Sequence, residues 1–335
     1  MDDPQVLLVM DGRVHQQLFG RAELERLRAL AVLGDPAWSD RFDDATMARL
    51  ADVEVLITSW GCPPITTQVL DGAPRLRAVL HAAGSVRSLV PPEAYARGIT
   101  VVSGADANAI PVAEFALAAI ILAGKRAVPL AAANRERPVS WGAVSDGELS
   151  NLGRTIGLVG FSRIGRRTLE LIHRVLQPAG VLVADPYAQA ADVAAAGGEL
   201  VSLPSLLRSS EILSLHAPLG EATRGMIGAA ELALLPDGAT LINTARGGLV
   251  DHDALLRECA AGRIDAILDV TEPEPLPRGH GLLALPNVMV TPHLAGSLGS
   301  ETRRLAHHAL DALADLVAGA PVRGAVSVET VGVSA

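Results

Sequence analysis

Gly157-Leu158-Val159-Gly160-Phe161-Ser162-Arg163-Ile164-Gly165 is the stretch on which the fold turns. It continues an apolar run begun at Thr155, bends on glycine and opens a helical pattern, and Asp185 closes the next apolar run twenty residues after Gly165. In a strand, turn and helix of this kind the glycines allow a tight bend. The helix N-terminus offers unpaired amides and partial positive charge to a pyrophosphate, and a carboxylate ending the second strand accepts hydrogen bonds from ribose hydroxyls. Gly160, Ser162, Arg163, Ile164, Gly165 and Asp185 are thus candidate dinucleotide contacts. Ser162 replaces the middle glycine of the fingerprint, and its side chain is expected to intrude where backbone approaches phosphate most closely. Asp185 repels a 2′-phosphate, and Pro186 and Tyr187 beside it supply no arginine, so NAD is expected in preference to NADP.

Outward from this turn, further short apolar runs follow at Val181 to Ala184, Ile212 to Leu215, Ala239 to Asn243, Ile264 to Leu268 and Val288 to Val290. With Thr155 to Val159 they predict a doubly wound sheet of six strands. The N-terminal third alternates runs at Val6 to Met10, Val53 to Thr58, Ala78 to His81 and Ile99 to Val102 with helical patterns such as Ala22 to Leu33, which predicts a second parallel sheet. Asn108 reads as the N-cap of a helix with Pro111 in its first turn and an apolar body from Val112 to Leu122. The most apolar stretch, Ala109 to Ala123, falls short of the ~18 residues that span a bilayer and carries Pro111 and Glu114, so a buried helix is expected and no membrane partner. A final helix over Ser300 to Ala318 is predicted to return to the first domain.

Composition narrows the function. The 335 residues are 49% hydrophobic and 19% charged, enough apolar material for about two buried cores and too much for a disordered chain. A net charge of −9 opposes a role in neutralising phosphate backbones, so no nucleic-acid partner is expected. Cys62 and Cys259 stand far apart without metal-type spacing, which predicts reduced thiols and no metal site. The acidic start Met1-Asp2-Asp3-Pro4 does not resemble an export signal, and a cytoplasmic protein is expected.

Three segments carry the chemistry: Asn243-Thr244-Ala245-Arg246-Gly247-Gly248, Leu268-Asp269-Val270-Thr271-Glu272-Pro273-Glu274-Pro275, and Thr291-Pro292-His293-Leu294-Ala295-Gly296. Each follows a predicted strand, and open α/β sheets bind ligands at the carboxyl ends of their strands. Together with Asn108 to Glu114 and the glycine turn, these segments resemble the D-isomer-specific 2-hydroxyacid dehydrogenase family over nearly the whole chain. The resemblance implies an α/β fold of two domains. A Rossmann doubly wound cofactor domain, residues 106–293, is inserted in a flavodoxin-like substrate domain made of residues 1–105 and 294–335.

The resemblance further implies that Arg246, Glu274 and His293 form the catalytic set and that Asp269 binds the nicotinamide carboxamide. It adds Val112, His216, Pro218, Thr223, Thr244 and Ala245, with His293, as cofactor contacts. For the substrate it points to Gly84, Ser85 and Val86 through backbone amides, to Trp60, and again to Arg246. The chemistry suits these residues independently of the family. Reducing a 2-keto acid needs a cation for its carboxylate, polarisation of its ketone and a proton donor. The planar fork of Arg246 can meet the first two needs, and His293 the third, with Glu274 on the second imidazole nitrogen fixing the tautomer and favouring the protonated ring. Glu272 competes with Glu274 for that place, and family spacing from Asp269 selects Glu274. Ser85 and Val86 replace part of the family's Gly-Val-Gly, and Arg87 adds a charge suited to a larger or doubly acidic substrate.

An NAD-dependent D-2-hydroxyacid dehydrogenase, or 2-ketoacid reductase, is therefore expected, with a small 2-hydroxy or 2-keto acid as substrate. An NAD-binding regulatory or corepressor-like protein on the same fold is the alternative, since fold does not fix function. The pairing of histidine with Glu274 argues against formate oxidation, in which relatives carry glutamine. About fifteen residues follow the last predicted helix, and no C-terminal amino-acid-sensing module is expected. A homodimer is implied by the family, through the helix from Asn108 and the arm around Arg135 to Trp141.

Overall fold

Short β-branched and leucine-rich runs flanked by capped helices favour parallel pairing with helices on both faces, and the chain builds two such sheets. The computed structural model describes residues 3–140, 142 and 149–328. Trp141, in the arm named above, lies outside them. Two compact units result: residues up to Asn108 together with those from Ser297 onward, and the contiguous run Ala109–Gly296.

The first unit holds β1 (Gln5–Val9), β2 (Val32–Ser39), β3 (Val55–Thr58), β4 (Ala78–His81) and β5 (Thr100–Ser103), all parallel. Their spatial order is β5-β4-β3-β1-β2, the flavodoxin-like arrangement. The central strands are fully buried, as a sheet covered on both faces requires. On one face, Val6, Leu8, Val55, Ile57, Ala78 and Leu80 pack against Leu305, Ala309, Leu310 and Leu313 of the helix Thr302–Val317, so the C-terminal helix does return to this unit.

The second unit contains β6 (Thr155–Val159), β7 (Gly180–Ala184), β8 (Glu199–Leu200), β9 (Ile212–Leu215), β10 (Thr240–Asn243), β11 (Asp265–Leu268) and β12 (Val288–Val290). Its seven parallel strands lie in the order β12-β11-β10-β9-β6-β7-β8. This is the doubly wound Rossmann order with one strand added at the far edge, and it reverses direction between β6 and β9, where such sheets bind ligands. A last strand, β13 (Ala325–Val326), joins the first sheet antiparallel to β5.

The helix read as starting at Asn108 in fact spans Ala105–Gly124. Ser103 Oγ accepts the Ala105 amide at 3.2 Å, and the Asn108 side chain instead accepts the Ser297 amide at 3.0 Å. At 20 residues this helix is long and apolar enough to cross a membrane, which the shorter apolar run did not suggest, and half of its most apolar window is buried inside the protein.

Candidate functional site

Each functional segment of the second unit is aimed by the end of its strand. After β6 the chain turns at Gly160, whose φ of 100° is left-handed backbone that disfavours any side chain. A Cβ at Gly160 would lie 2.7 Å from the Ala217 amide nitrogen, and one at Gly165 would overlap the Gly160 carbonyl oxygen. Only glycine closes this turn. Ser162 caps the helix Arg163–Val175. Its hydroxyl donates to the His216 carbonyl at 3.0 Å and accepts the Gly165 amide at 3.4 Å. The side chain is thus tied to the chain just after β9 and to the first turn of its own helix.

Asp185 ends β7 with both oxygens engaged by backbone amides, Phe161 at 2.7 Å and Tyr187 at 2.8 Å, which braces the glycine turn from the neighbouring strand. Across the switch point His216 is buried with neither ring nitrogen bonded among the described residues, and burial lowers its pKa to about 4. Thr244, at the end of adjacent β10, likewise buries a hydroxyl without a partner. Orphaned buried polar atoms call for a ligand or ordered water, and here they line up along the carboxyl edge beside a glycine cradle. That arrangement fits a dinucleotide. Thr223 closes the loop after β9, its hydroxyl donating to the Pro218 carbonyl at 2.6 Å and accepting the Gly220 amide at 2.8 Å. Val112 and Ala245 are buried.

Arg246 is held from behind. Asn243, fully buried, accepts the Ala245 amide at 3.0 Å and donates to the Arg246 carbonyl at 2.9 Å. The next residue, Gly247, packs so closely on the Thr271 backbone that no side chain fits. The Arg246 side chain is exposed, and its guanidinium donates to the Ala245 carbonyl at 2.6 Å, with no carboxylate paired to it among the described residues. At the end of β11 the two glutamates part. Glu272 pairs with Arg224 at 2.6 Å, and Glu274 Oε1 lies 2.6 Å from His293 Nδ1, with both of the latter side chains about half exposed. The geometry pairs the histidine with Glu274, the residue selected by family spacing, and gives Glu272 a different partner. Sequence reasoning missed Arg224; its only signal was proximity to the Thr223 turn.

In the first unit, the amides of Gly84, Ser85 and Val86 after β4 have no acceptor among the described residues. Gly84 is pinned through its carbonyl to Ser103 Oγ at 2.5 Å, and the Val86 side chain is buried in the core, so this loop presents backbone rather than a valine wall. Ser85 and Arg87 are exposed. Trp60, at the end of adjacent β3, is 38% exposed.

The family model for the D-isomer specific 2-hydroxyacid dehydrogenase NAD binding domain matches residues 118–295. A D-3-phosphoglycerate dehydrogenase of Mycobacterium bovis is 34% identical over 304 residues, covering 89% of this chain and 56% of that protein. The chain therefore spans about half the length of the phosphoglycerate dehydrogenases it matches. A hydroxypyruvate reductase of Thermotoga maritima is 32% identical over 267 residues, covering 78% of this chain and 84% of the relative. Among solved structures, a phosphoglycerate oxidoreductase from Rhizobium etli superposes with a TM-score of 0.81 at 24% identity, covering 96% of this chain and 98% of that one, a likeness of fold.

Proposed function

The chain belongs to the D-isomer-specific 2-hydroxyacid dehydrogenase family, and from that premise we propose that it interconverts a small 2-hydroxy acid and its 2-keto acid using NAD(H). The observation that carries this reading is the imidazole–carboxylate pair at 2.6 Å between His293 and Glu274, in the same unit as an unpaired, rigidly backed arginine. Gly160, Ser162, Arg163, Ile164, Gly165 and Asp185 would hold the pyrophosphate and ribose, and His216, Pro218, Thr223, Thr244, Ala245 and Val112 the remainder of the dinucleotide. Bound there, the nicotinamide supplies or takes up the hydride.

The protein's own groups do the rest. Arg246 pairs its fork with the substrate carboxylate and lends a donor to the ketone oxygen, which bears growing negative charge during reduction. His293 donates its Nε2 proton to that oxygen and takes one back in the oxidative direction. Glu274 accepts the Nδ1 proton in a hydrogen bond, leaving Nε2 as the exchanging nitrogen. The unpaired amides of Gly84, Ser85 and Val86 are suited to anionic substrate oxygens, as successive unpaired amides generally are. Trp60 is the apolar contact and Arg87 the cation for a second anionic group.

The test is NADH oxidation across glyoxylate, pyruvate, hydroxypyruvate, phenylpyruvate and 2-ketoglutarate, with NADPH in parallel. Turnover of at least one acid, with NADH favoured by about tenfold or more through the Asp185 carboxylate, is the expected outcome. Tight NADH binding without turnover of any acid would instead support a binding-only protein, a reading that relatives named as dehydrogenases and reductases do not favour. Gly165→Ala forces a methyl group onto the Gly160 carbonyl, so the Kd for NADH should rise by about tenfold or more. An unchanged value in a fluorescence titration would remove the turn from the cofactor site.

The reading is completed by a cytoplasmic homodimer acting on small molecules, with neither nucleic acid nor membrane as partner. The net charge of −9 supports the first exclusion, and the partial burial of the helix Ala105–Gly124 supports the second. The homodimer rests on the family resemblance alone.

A further inference from the structure

The loop after β4 carries a run of amides, from Ala83 to Val86, without an acceptor among the described residues. A trans peptide is planar, with its N–H opposed to its C=O, so whatever holds a carbonyl also aims the amide of the next residue. Two buried serines on the flanking strands do this. Ser59, just past β3, donates its hydroxyl to the Ala82 carbonyl at 2.8 Å, and Ser103, the last residue of β5, donates to the Gly84 carbonyl at 2.5 Å. The Ala83 and Ser85 amides are thereby turned away from the serine that holds each plane.

The two planes differ in what else fixes them. Ala82 and Ala83 are fully buried, and Gly104 packs so closely on Ala83 that a Cβ there would lie 2.8 Å from the Ala83 carbonyl oxygen. At Gly84 the nearest neighbour of a Cβ would be Asn108 Nδ2 at 3.9 Å, and glycine rotates more freely than any residue with a side chain. Among the described residues, then, packing does not fix the Gly84–Ser85 plane, and the Ser103 hydroxyl is what holds it. A serine hydroxyl has one proton to give. Here it also accepts the Ala105 amide, the first of the helix Ala105–Gly124, at 3.2 Å, so its proton is committed to the Gly84 carbonyl.

We propose that Ser103 is a positioning residue for substrate binding, whose hydroxyl fixes the Gly84–Ser85 peptide so that the Ser85 amide faces the carboxylate of the 2-keto or 2-hydroxy acid. This rests on the reading of that loop as the substrate's anion site. In Ser103→Ala the peptide loses its tether. KM for the keto acid should rise by about tenfold, the worth of one hydrogen bond to a charged group, while kcat stays within about threefold and the Kd for NADH within about twofold. The inhibition constant of oxamate, a probe with the same carboxylate, should rise in step. Ser103→Thr keeps the hydroxyl and should return KM to within about twofold of wild type, a rescue that a general loosening of the loop does not predict. Ser59→Ala, whose plane is also held by packing, should move KM by less than about threefold.

Ser85→Pro deletes the amide itself at an exposed position and should reproduce the rise in KM, which keeps the test decisive if Ser103→Ala fails to fold. An unchanged KM in either variant would overturn the proposal, as would a fall in kcat with KM and oxamate inhibition preserved. Should the wild-type protein reduce no 2-keto acid, the functional reading falls separately. The tether is then judged by a crystal structure of Ser103→Ala, in which the Gly84–Ser85 peptide must be turned or divided between orientations; a peptide still in its wild-type plane overturns it.

Discussion

Replacing His293 by alanine is expected to lower kcat for 2-keto acid reduction by about a thousandfold, with the Kd for NADH within about twofold of wild type. General acid catalysis by one positioned side chain is worth this much because the ketone oxygen must gain its proton as charge develops on it. Among the described residues near the imidazole, no second acid is free to replace it. Glu274 is spent on Nδ1, Glu272 on Arg224, and the buried Asp269 carboxylate accepts the Leu294 and Ala295 amides. Residue 293 is left-handed, and alanine carries the same Cβ there as histidine, so the substitution adds no new backbone clash; His293→Asn is a useful second control, since asparagine tolerates that conformation. Both variants should be equally inactive and equally able to bind NADH. Glu274→Gln keeps an acceptor for Nδ1 but loses the charge, and about a tenfold loss is expected. Steady-state kinetics with a keto acid found by the substrate panel decide the matter. A His293→Asn enzyme retaining more than about a tenth of wild-type kcat would remove His293 as the proton donor.

The second large effect is on stability, and it is set by two histidines that fold without charge. His81 in the first unit and His216 in the second are buried, and burial depresses each pKa from 6.5 to about 4. His81 satisfies Nδ1 against the Thr58 hydroxyl at 2.9 Å. Between pH 6.5 and 4 the unfolded chain binds a proton at each position that the folded chain refuses, so stability is full above pH 6.5 and falls as pH drops toward 4. At 1.36 kcal/mol per unit, each histidine withdraws about 3 kcal/mol over that interval, a large part of a domain's usual margin. Urea denaturation at pH 7 and pH 4.5 should show the loss in both units, and His216→Gln should flatten the slope for the second unit alone. A stability profile level across this range, or one with the same slope in His81→Gln/His216→Gln, would contradict the account.

Much of this architecture is legible in the sequence because its strands are apolar and bounded by turn residues. Val55–Thr58 and Ala78–His81 are buried on both faces, and a continuous apolar run is what such a strand must be. The edges are less legible. β2 runs through Gly34, Asp35 and Pro36, residues that signal a turn, and is tolerated because it is an edge strand paired only with β1 across an irregular register. β8 is two residues long and has no pattern to read. The same split holds at the site. The Arg, Glu and His segments could be picked out because their residue types match a chemistry, whereas the bonds of the Ser162 hydroxyl and the hold of Ser103 on the Gly84 carbonyl depend on where side chains point. Spacing cannot tell a hydroxyl facing a ligand from one facing the main chain.

The bond between Asn108 and Ser297 marks where the chain leaves the first unit and where it returns. On the ribosome that layout sets an order of events. The first five strands emerge early, and Leu18, Phe19 and Leu27 cover part of one face of their sheet, but that face is completed only when Leu305, Ala309, Leu310 and Leu313 have been made. The unit that starts second is contiguous, so it is the one able to finish its core first. Throughout that interval the nascent N-terminal sheet carries partly exposed valine and leucine, the kind of surface that makes a folding intermediate prone to aggregate.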